Sequence, residues 1–180
     1  MLIKRCISFI AIVGLFACTG GNFVFSRNMP EKNDEPYLGV NVGFGSGTSG
    51  LTAGISLSHQ TGEGILTGRF VHNSKLKIDS PWINVWDTGI LYGVSTERSD
   101  FRAVVSAGIS LTGGSRQGEM VKLYPYRGFE RVTFYTPGLP IEAHLFRKIS
   151  ETVEIGLGGY ANLNSEKSYI GWLLCIHFSN

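Results

Sequence analysis

From Tyr37 to the end, the chain alternates apolar with small or polar residues at a period of two, in eight successive segments. This pattern restricts the fold more than any other feature, because a period of two means strands whose two faces meet different surroundings. Phe101, Ala103, Val105, Ala107, Ile109 and Leu111 face one way, and Arg102, Ser106, Gly108, Ser110 and Thr112 the other. The segments are Tyr37 to Gly45, Leu51 to Ser58, Ile65 to His72, Trp86 to Thr96, Phe101 to Thr112, Leu139 to Arg147, Val153 to Leu163 and Ile170 to Phe178. After the first 18 residues no segment sustains a helical period.

Two all-β arrangements produce such alternation. A soluble sandwich or barrel turns the apolar face inward, and a membrane barrel turns it outward. The second face separates them. Water-facing strands fill it with Lys, Glu and Thr, whereas here it is mostly Gly, Ser, Asn and Thr with isolated charges. The lysines after residue 19, Lys32, Lys75, Lys77, Lys122, Lys148 and Lys167, all fall outside the eight runs. A narrow lumen accounts for both facts. The charged fraction, 17%, is also below the roughly 25% of soluble domains. The expected fold is therefore an eight-stranded antiparallel up-and-down transmembrane β-barrel over residues 37–180. The rival is a soluble calycin-like lipoprotein holding an apolar ligand, which needs the Leu/Ile/Val face inside.

The connections agree with a membrane barrel. Gln60 to Gly64, Glu97 to Asp100 and Lys148 to Thr152 are short, and lie on the side of the termini. On the other side, Asn73 to Ile83 and Gly113 to Gly138 are expected as long loops, while Ser46 to Gly50 and Asn164 to Lys167 are short. Short turns on one side and longer loops on the other are usual in outer-membrane barrels. Tyr37, Phe44, Trp82, Trp86, Phe101 and Trp172 lie near strand ends, where aromatic girdles form.

Residues 1–18 carry export signals. Lys4 and Arg5 precede an apolar run from Ile7 to Phe16, followed by the small residues Ala17, Cys18, Thr19 and Gly20. The run is about 10 residues, half of what a membrane-spanning helix needs. Leu15-Phe16-Ala17-Cys18 is similar to a bacterial lipoprotein box, which makes Cys18 a lipidation candidate. The alternative is ordinary signal-peptidase cleavage nearby. Removing Lys4 and Arg5 from the 16 basic residues leaves 14 against 14 acidic ones, so nothing suggests nucleic-acid binding. Residues 19–36 read as a flexible linker, with charges and prolines but no periodicity. Past Cys18 only Cys175 remains, so no internal disulfide is expected.

The last quarter resembles a known group. Gly138-Leu139-Pro140-Ile141-Glu142-Ala143-His144-Leu145-Phe146, Gly156-Leu157-Gly158, Asn162 to Tyr169, and Gly171-Trp172-Leu173-Leu174-Cys175-Ile176 are similar to small Bacteroidota outer-membrane β-barrel proteins. That resemblance implies fold and location, not an activity. The ending His177-Phe178-Ser179-Asn180 departs from it, and instead resembles the His-x-Ser-Asn strand motif of outer-membrane lipid A 3-O-deacylases. In that family a histidine activates the serine, and an acidic residue orients the histidine. The resemblance implies His177 and Ser179 in those roles, with Glu142 as the candidate acid. In the family more barrel follows the motif, whereas here the sequence stops at Asn180.

Arg69, Asp87, Arg102, Glu142, His144 and Glu154 fall on the lumen face. A paired network filling the barrel is the expectation, since buried charges need partners. Arg116, Lys122, Arg127 and Arg131, with five aromatics in the 113–138 loop, form a candidate binding surface. Their expected partners are anionic lipopolysaccharide headgroups or another surface partner; outer-membrane lipids would surround the barrel. No metal-ligand spacing, nucleotide loop or haem motif is present, so no cofactor is expected. The functional expectation is a cell outer-membrane protein with a structural or surface-binding role, neither a porin nor, on balance, an enzyme.

Overall fold

The computed structural model describes residues 37–62, 64–75, 83–123 and 126–180. The export segment, Cys18 and the linker lie outside the described residues.

Eight strands form in chain order: β1 (Tyr37–Gly47), β2 (Gly50–Thr61), β3 (Gly64–Lys75), β4 (Ile83–Arg98), β5 (Phe101–Leu123), β6 (Tyr126–Lys148), β7 (Val153–Asn164) and β8 (Tyr169–Ser179). Each pairs antiparallel with the next, and β1 pairs with β8 from Gly39↔Ser179 to Gly47↔Gly171, closing the barrel. Closure removes the free sheet edges that an open sheet would present.

The apolar face is outside. Val105 is 53% exposed and Ile109 71%, while Ser106 between them is 4% exposed. Leu57, Leu66, Leu145, Leu157, Leu174 and Ile176 extend the same belt around the barrel. This is the reverse of what a calycin-like pocket requires. The buried apolar residues are not those of the apolar face that the alternation marks. Val71, Val85, Leu91, Val104, Phe146 and Leu173 are buried and help to fill the lumen.

Inward glycines make room for large inward side chains. A Cβ on Gly158 would sit 2.4 Å from His144, one on Gly171 2.4 Å from Tyr160, and one on Gly39 2.4 Å from His177. Small and large residues therefore interlock across neighbouring strands, as in other small barrels.

The structure corrects the loops. The expected loop at 113–138 is mainly strand, because β5 and β6 each continue for 23 residues. β4 pairs with β5 only as far as Gly114, and β7 with β6 only from Gly138. Residues 115–123 and 126–137 thus form a ribbon paired only with itself. At ~3.3 Å per residue, nine residues span roughly 30 Å. The alternation breaks because the register shifts between Gln117 and Met120, and a two-stranded ribbon lacks the barrel's contrast between lipid and lumen faces. Lys75, Lys122 and Lys148 accordingly lie within strands, at their ends.

Gly108 and Gly68 test this packing. A Cβ on Gly108 would lie 2.0 Å from the Ile90 carbonyl oxygen, whereas one on Gly68 meets nothing within 4 Å. Gly108→Ala should lose about 1–3 kcal/mol through overpacking. Gly68→Ala should be neutral or slightly stabilising, because it restricts the unfolded chain. Urea unfolding of the detergent-refolded protein measures both.

Candidate functional site

Alternation places Arg69 (β3), Asp87 (β4), Ser110 (β5), Glu142 (β6), Asn162 (β7) and Tyr169 (β8) on the inner face, and the closed register brings them together. Arg69 donates twice to Asp87, Nε to Oδ1 at 3.1 Å and Nη2 to Oδ2 at 2.8 Å. Its Nη1 donates to Glu142 Oε1 across the lumen. Asp87 Oδ2 also accepts from Asn162 Nδ2 at 3.1 Å and from the Tyr169 hydroxyl. Asn162 Nδ2 reaches Ser110 Oγ at 2.9 Å. Six strands are therefore joined through side chains around one guanidinium.

A second line leaves Glu142. Its Oε2 lies 3.3 Å from His144 Nε2, and His144 Nδ1 is 3.8 Å from the buried Cys175 thiol. Nearer the terminal rim, Arg102 binds Glu154 through Nε, at 2.9 Å to Oε2 and 3.2 Å to Oε1, and through Nη2. Its guanidinium lies 4.8 Å from the centre of the Phe146 ring. Phe146 also stacks on His144 with centroids 5.5 Å apart and meets His177 at 5.4 Å. Arg102, Phe146 and His177 are all buried. The six lumen charges read from the sequence are thus all engaged in ion pairs or hydrogen bonds.

The deacylase-like set is not assembled. His177 is buried and its Nε2 has no hydrogen-bond partner. Glu142 is committed to Arg69 and His144. In the register Glu142 is level with Tyr160 and Gly171, six residues along β8 from His177, or roughly 20 Å at ~3.3 Å per residue. The Ser179 amide donates to Thr152 O at 3.0 Å, tying the end of β8 to the β6–β7 turn. Glu142 therefore does not orient His177.

At the opposite rim the four ribbon cations stand at more than one level of the β5–β6 register. Arg116 Nη1 lies 3.2 Å from Glu166 Oε2, with both side chains partly exposed. Arg131 is exposed, opposite Gln117 in the register. Lys122 and Arg127 are register partners beside the ribbon tip.

Two rim lysines carry more structure than the sequence signals. Asn164 Oδ1 accepts from the Lys167 amide at 2.6 Å and the Glu166 amide at 3.2 Å, and its Nδ2 donates to Lys167 O at 3.0 Å. Such a side-chain-bridged turn fixes Lys167, which is half-buried. Burial, and then the nearby Lys75, hold its pKa below the ordinary lysine value.

No protein-family model matches this chain, and no curated protein matches it. Solved structures do. The N-terminal β-barrel domain of Pseudomonas aeruginosa OprF has a TM-score of 0.58 at 14% identity, covering 80% of this chain and 97% of that one. Neisserial surface protein A has a TM-score of 0.56 at 15% identity, covering 80% and 95%. Ail, the attachment invasion locus protein of Yersinia pestis, solved with the heparin analogue sucrose octasulfate, has 0.57 at 9% identity, covering 81% and 99%. The chain has the eight-stranded barrel fold of small outer-membrane proteins. The likeness extends over nearly the whole length of each neighbour, so this fold accounts for all the described strands.

The interior chemistry is that of a strut. Its charged groups pair with one another, and Arg69 and Asp87 have almost no solvent contact. Removing one member leaves the others buried and unpaired. Arg69→Met should cost about 3–5 kcal/mol, and the triple replacement Arg69→Met, Asp87→Leu, Glu142→Leu should recover much of that loss. Equilibrium unfolding of the three proteins (wild type, single, triple) checks the order.

Proposed function

We propose that this chain is a small cell outer-membrane β-barrel protein with a structural or surface-binding role, neither a porin nor an enzyme. The observation that carries this reading is the combination of an apolar belt around the outside with a lumen closed by side chains. Exposed apolar surface on that scale needs a cover, and lipid covers all sides of a barrel at once. An eight-stranded barrel has an interior just wide enough for side chains; here Arg69, Arg102, Tyr160 and Tyr169 occupy it.

The termini and short turns then face the periplasm, and the β5–β6 ribbon faces outward. The ribbon cations Arg116, Lys122, Arg127 and Arg131 suit anionic surface ligands, lipopolysaccharide headgroups among them. The fold neighbour Ail, solved with a polysulfated heparin analogue, supports looking for such ligands at this rim. The resemblance to Bacteroidota outer-membrane barrels points to the same location. Against the deacylase reading stands the separation of Glu142 from His177; incubating the purified protein with lipid A should release no acyl chain.

The barrel should fractionate with outer membranes and migrate differently on gels when unheated. A nitroxide at position 109 or 157 should collide with oxygen dissolved in lipid and be shielded from a water-soluble relaxation agent. Labels at 106 or 158 should show little lipid contact. A dry, immobile 109 or 157 label without lipid access would refute membrane embedding. In planar bilayers the protein should show no conductance comparable to a porin; sustained porin-sized steps would refute the closed lumen.

A further inference from the structure

The mouth at the ribbon end carries donors that the interior network leaves unused. Lys75 ends β3, two residues beyond Asn73 on the same face. Lys167 lies in the β7–β8 turn, held by Asn164. The β1–β2 turn stands between them. On one side, the Thr48 amide donates to Ile170 O at 2.9 Å and the Ile170 amide to Thr48 Oγ1 at 3.2 Å. On the other, a Cβ on Gly50 would come within 2.8 Å of Lys75 Cα. Both lysines are half-buried.

Neither lysine forms an ion pair among the described residues, and Glu166, next to Lys167, is paired with Arg116. Two like charges held beside one turn repel each other, and burial raises that cost. Ser49, at the tip of the turn, is 2% exposed, and its Oγ has no hydrogen-bond partner. Just below, Asn73 Oδ1 accepts from Thr52 Oγ1 at 2.7 Å and the Tyr160 hydroxyl at 2.8 Å, while its Nδ2 has no acceptor. Buried polar groups in native structures seldom lack partners. Here the unmet capacity is on the donor side: two ammoniums, a hydroxyl and an amide.

We propose that this sector of the mouth is a binding site for a phosphate-type oxyanion, held between Lys75 and Lys167 with the Ser49 hydroxyl as a further donor. Charge-assisted hydrogen bonds to such an anion are stronger than neutral ones, and ammonium groups serve phosphate as point charges. The anion offsets the lysine repulsion and supplies the missing acceptor. The site rests on the rim geometry alone and goes beyond the proposed surface role, whatever surrounds the belt.

The test uses the full barrel in maltoside micelles, which contain no phosphate, titrated with inorganic phosphate and followed by amide NMR shifts. The Ser49 and Lys167 amides should shift saturably. Lys75→Gln and Lys167→Gln should each weaken binding about tenfold or more, while Arg98→Gln at the opposite rim should not. Unheated gel mobility confirms that each variant is folded. Unchanged affinity in the double variant, or shifts that never saturate, would overturn the site. Phosphatidylcholine nanodiscs with and without phosphatidic acid separate the sources. Movement of the same amides on adding the lipid identifies a headgroup ligand, and movement only with free phosphate identifies a soluble one. No movement under either condition would also overturn the proposal.

Discussion

Closure of β1 on β8 is the constraint on which the rest of the structure depends. Once the strands form a ring, each pairs on both sides, and the barrel wall satisfies its own backbone hydrogen bonds. The outside is then free to be apolar, because no backbone group there must reach water. The inside is a narrow space of fixed size that must be filled. Both requirements appear in the sequence as alternation, and neither could be met by an open sheet of the same strands.

Filling that space is a problem of volume and of charge. Volume is solved by setting bulky residues over glycines, His144 over Gly158 and Tyr160 over Gly171. Charge is solved by pairing across strands that are distant in sequence. Arg69 is fixed by a bidentate bond to Asp87 on the adjacent strand and reaches Glu142 on the far wall. The Asp87 carboxylate then collects Asn162 and Tyr169. Such a network gains little over a well-packed apolar filling, but it penalises any register in which one partner is missing. In a barrel whose belt is apolar everywhere, that penalty falls on a strand slip, which would turn charged residues toward the belt.

The alternation makes the face of most strand residues legible in the sequence, but not their partners. Alternation placed Val105 and Ile109 outside and Ser106 inside, and it put Arg69, Asp87, Glu142 and His144 on one surface. Which of them meet depends on the offset of strands around the ring, which no local pattern encodes. The inward apolar residues were hidden for a related reason. Leu173 and Leu174 are neighbours of the same type, one buried at 3% and one exposed at 61%, so hydrophobicity alone does not separate them. The ribbon reads as a loop in the sequence because its register shift breaks the period, and because its faces lack the barrel's two environments. Lys75 and Lys167 fall in connections outside the eight runs, and only the fold brings them to the same turn.

These constraints leave the two rims as the places where the molecule can differ in function from other barrels of its fold. The belt needs only to be apolar, and most substitutions that keep it so would be tolerated. The lumen is committed to its own pairing, so a group recruited there for chemistry must first be released from a buried partner, at a cost comparable to a large part of the stability. The two rims are not equivalent. One carries the described chain end and tight turns, tied together by the Ser179–Thr152 bond. The other carries the ribbon, the Asn164-braced turn and two lysines with no ion-pair partner among the described residues, where a charged ligand can be met without dismantling the interior. A rigid barrel thus serves as the support, and recognition is left to side chains whose loss the fold can survive.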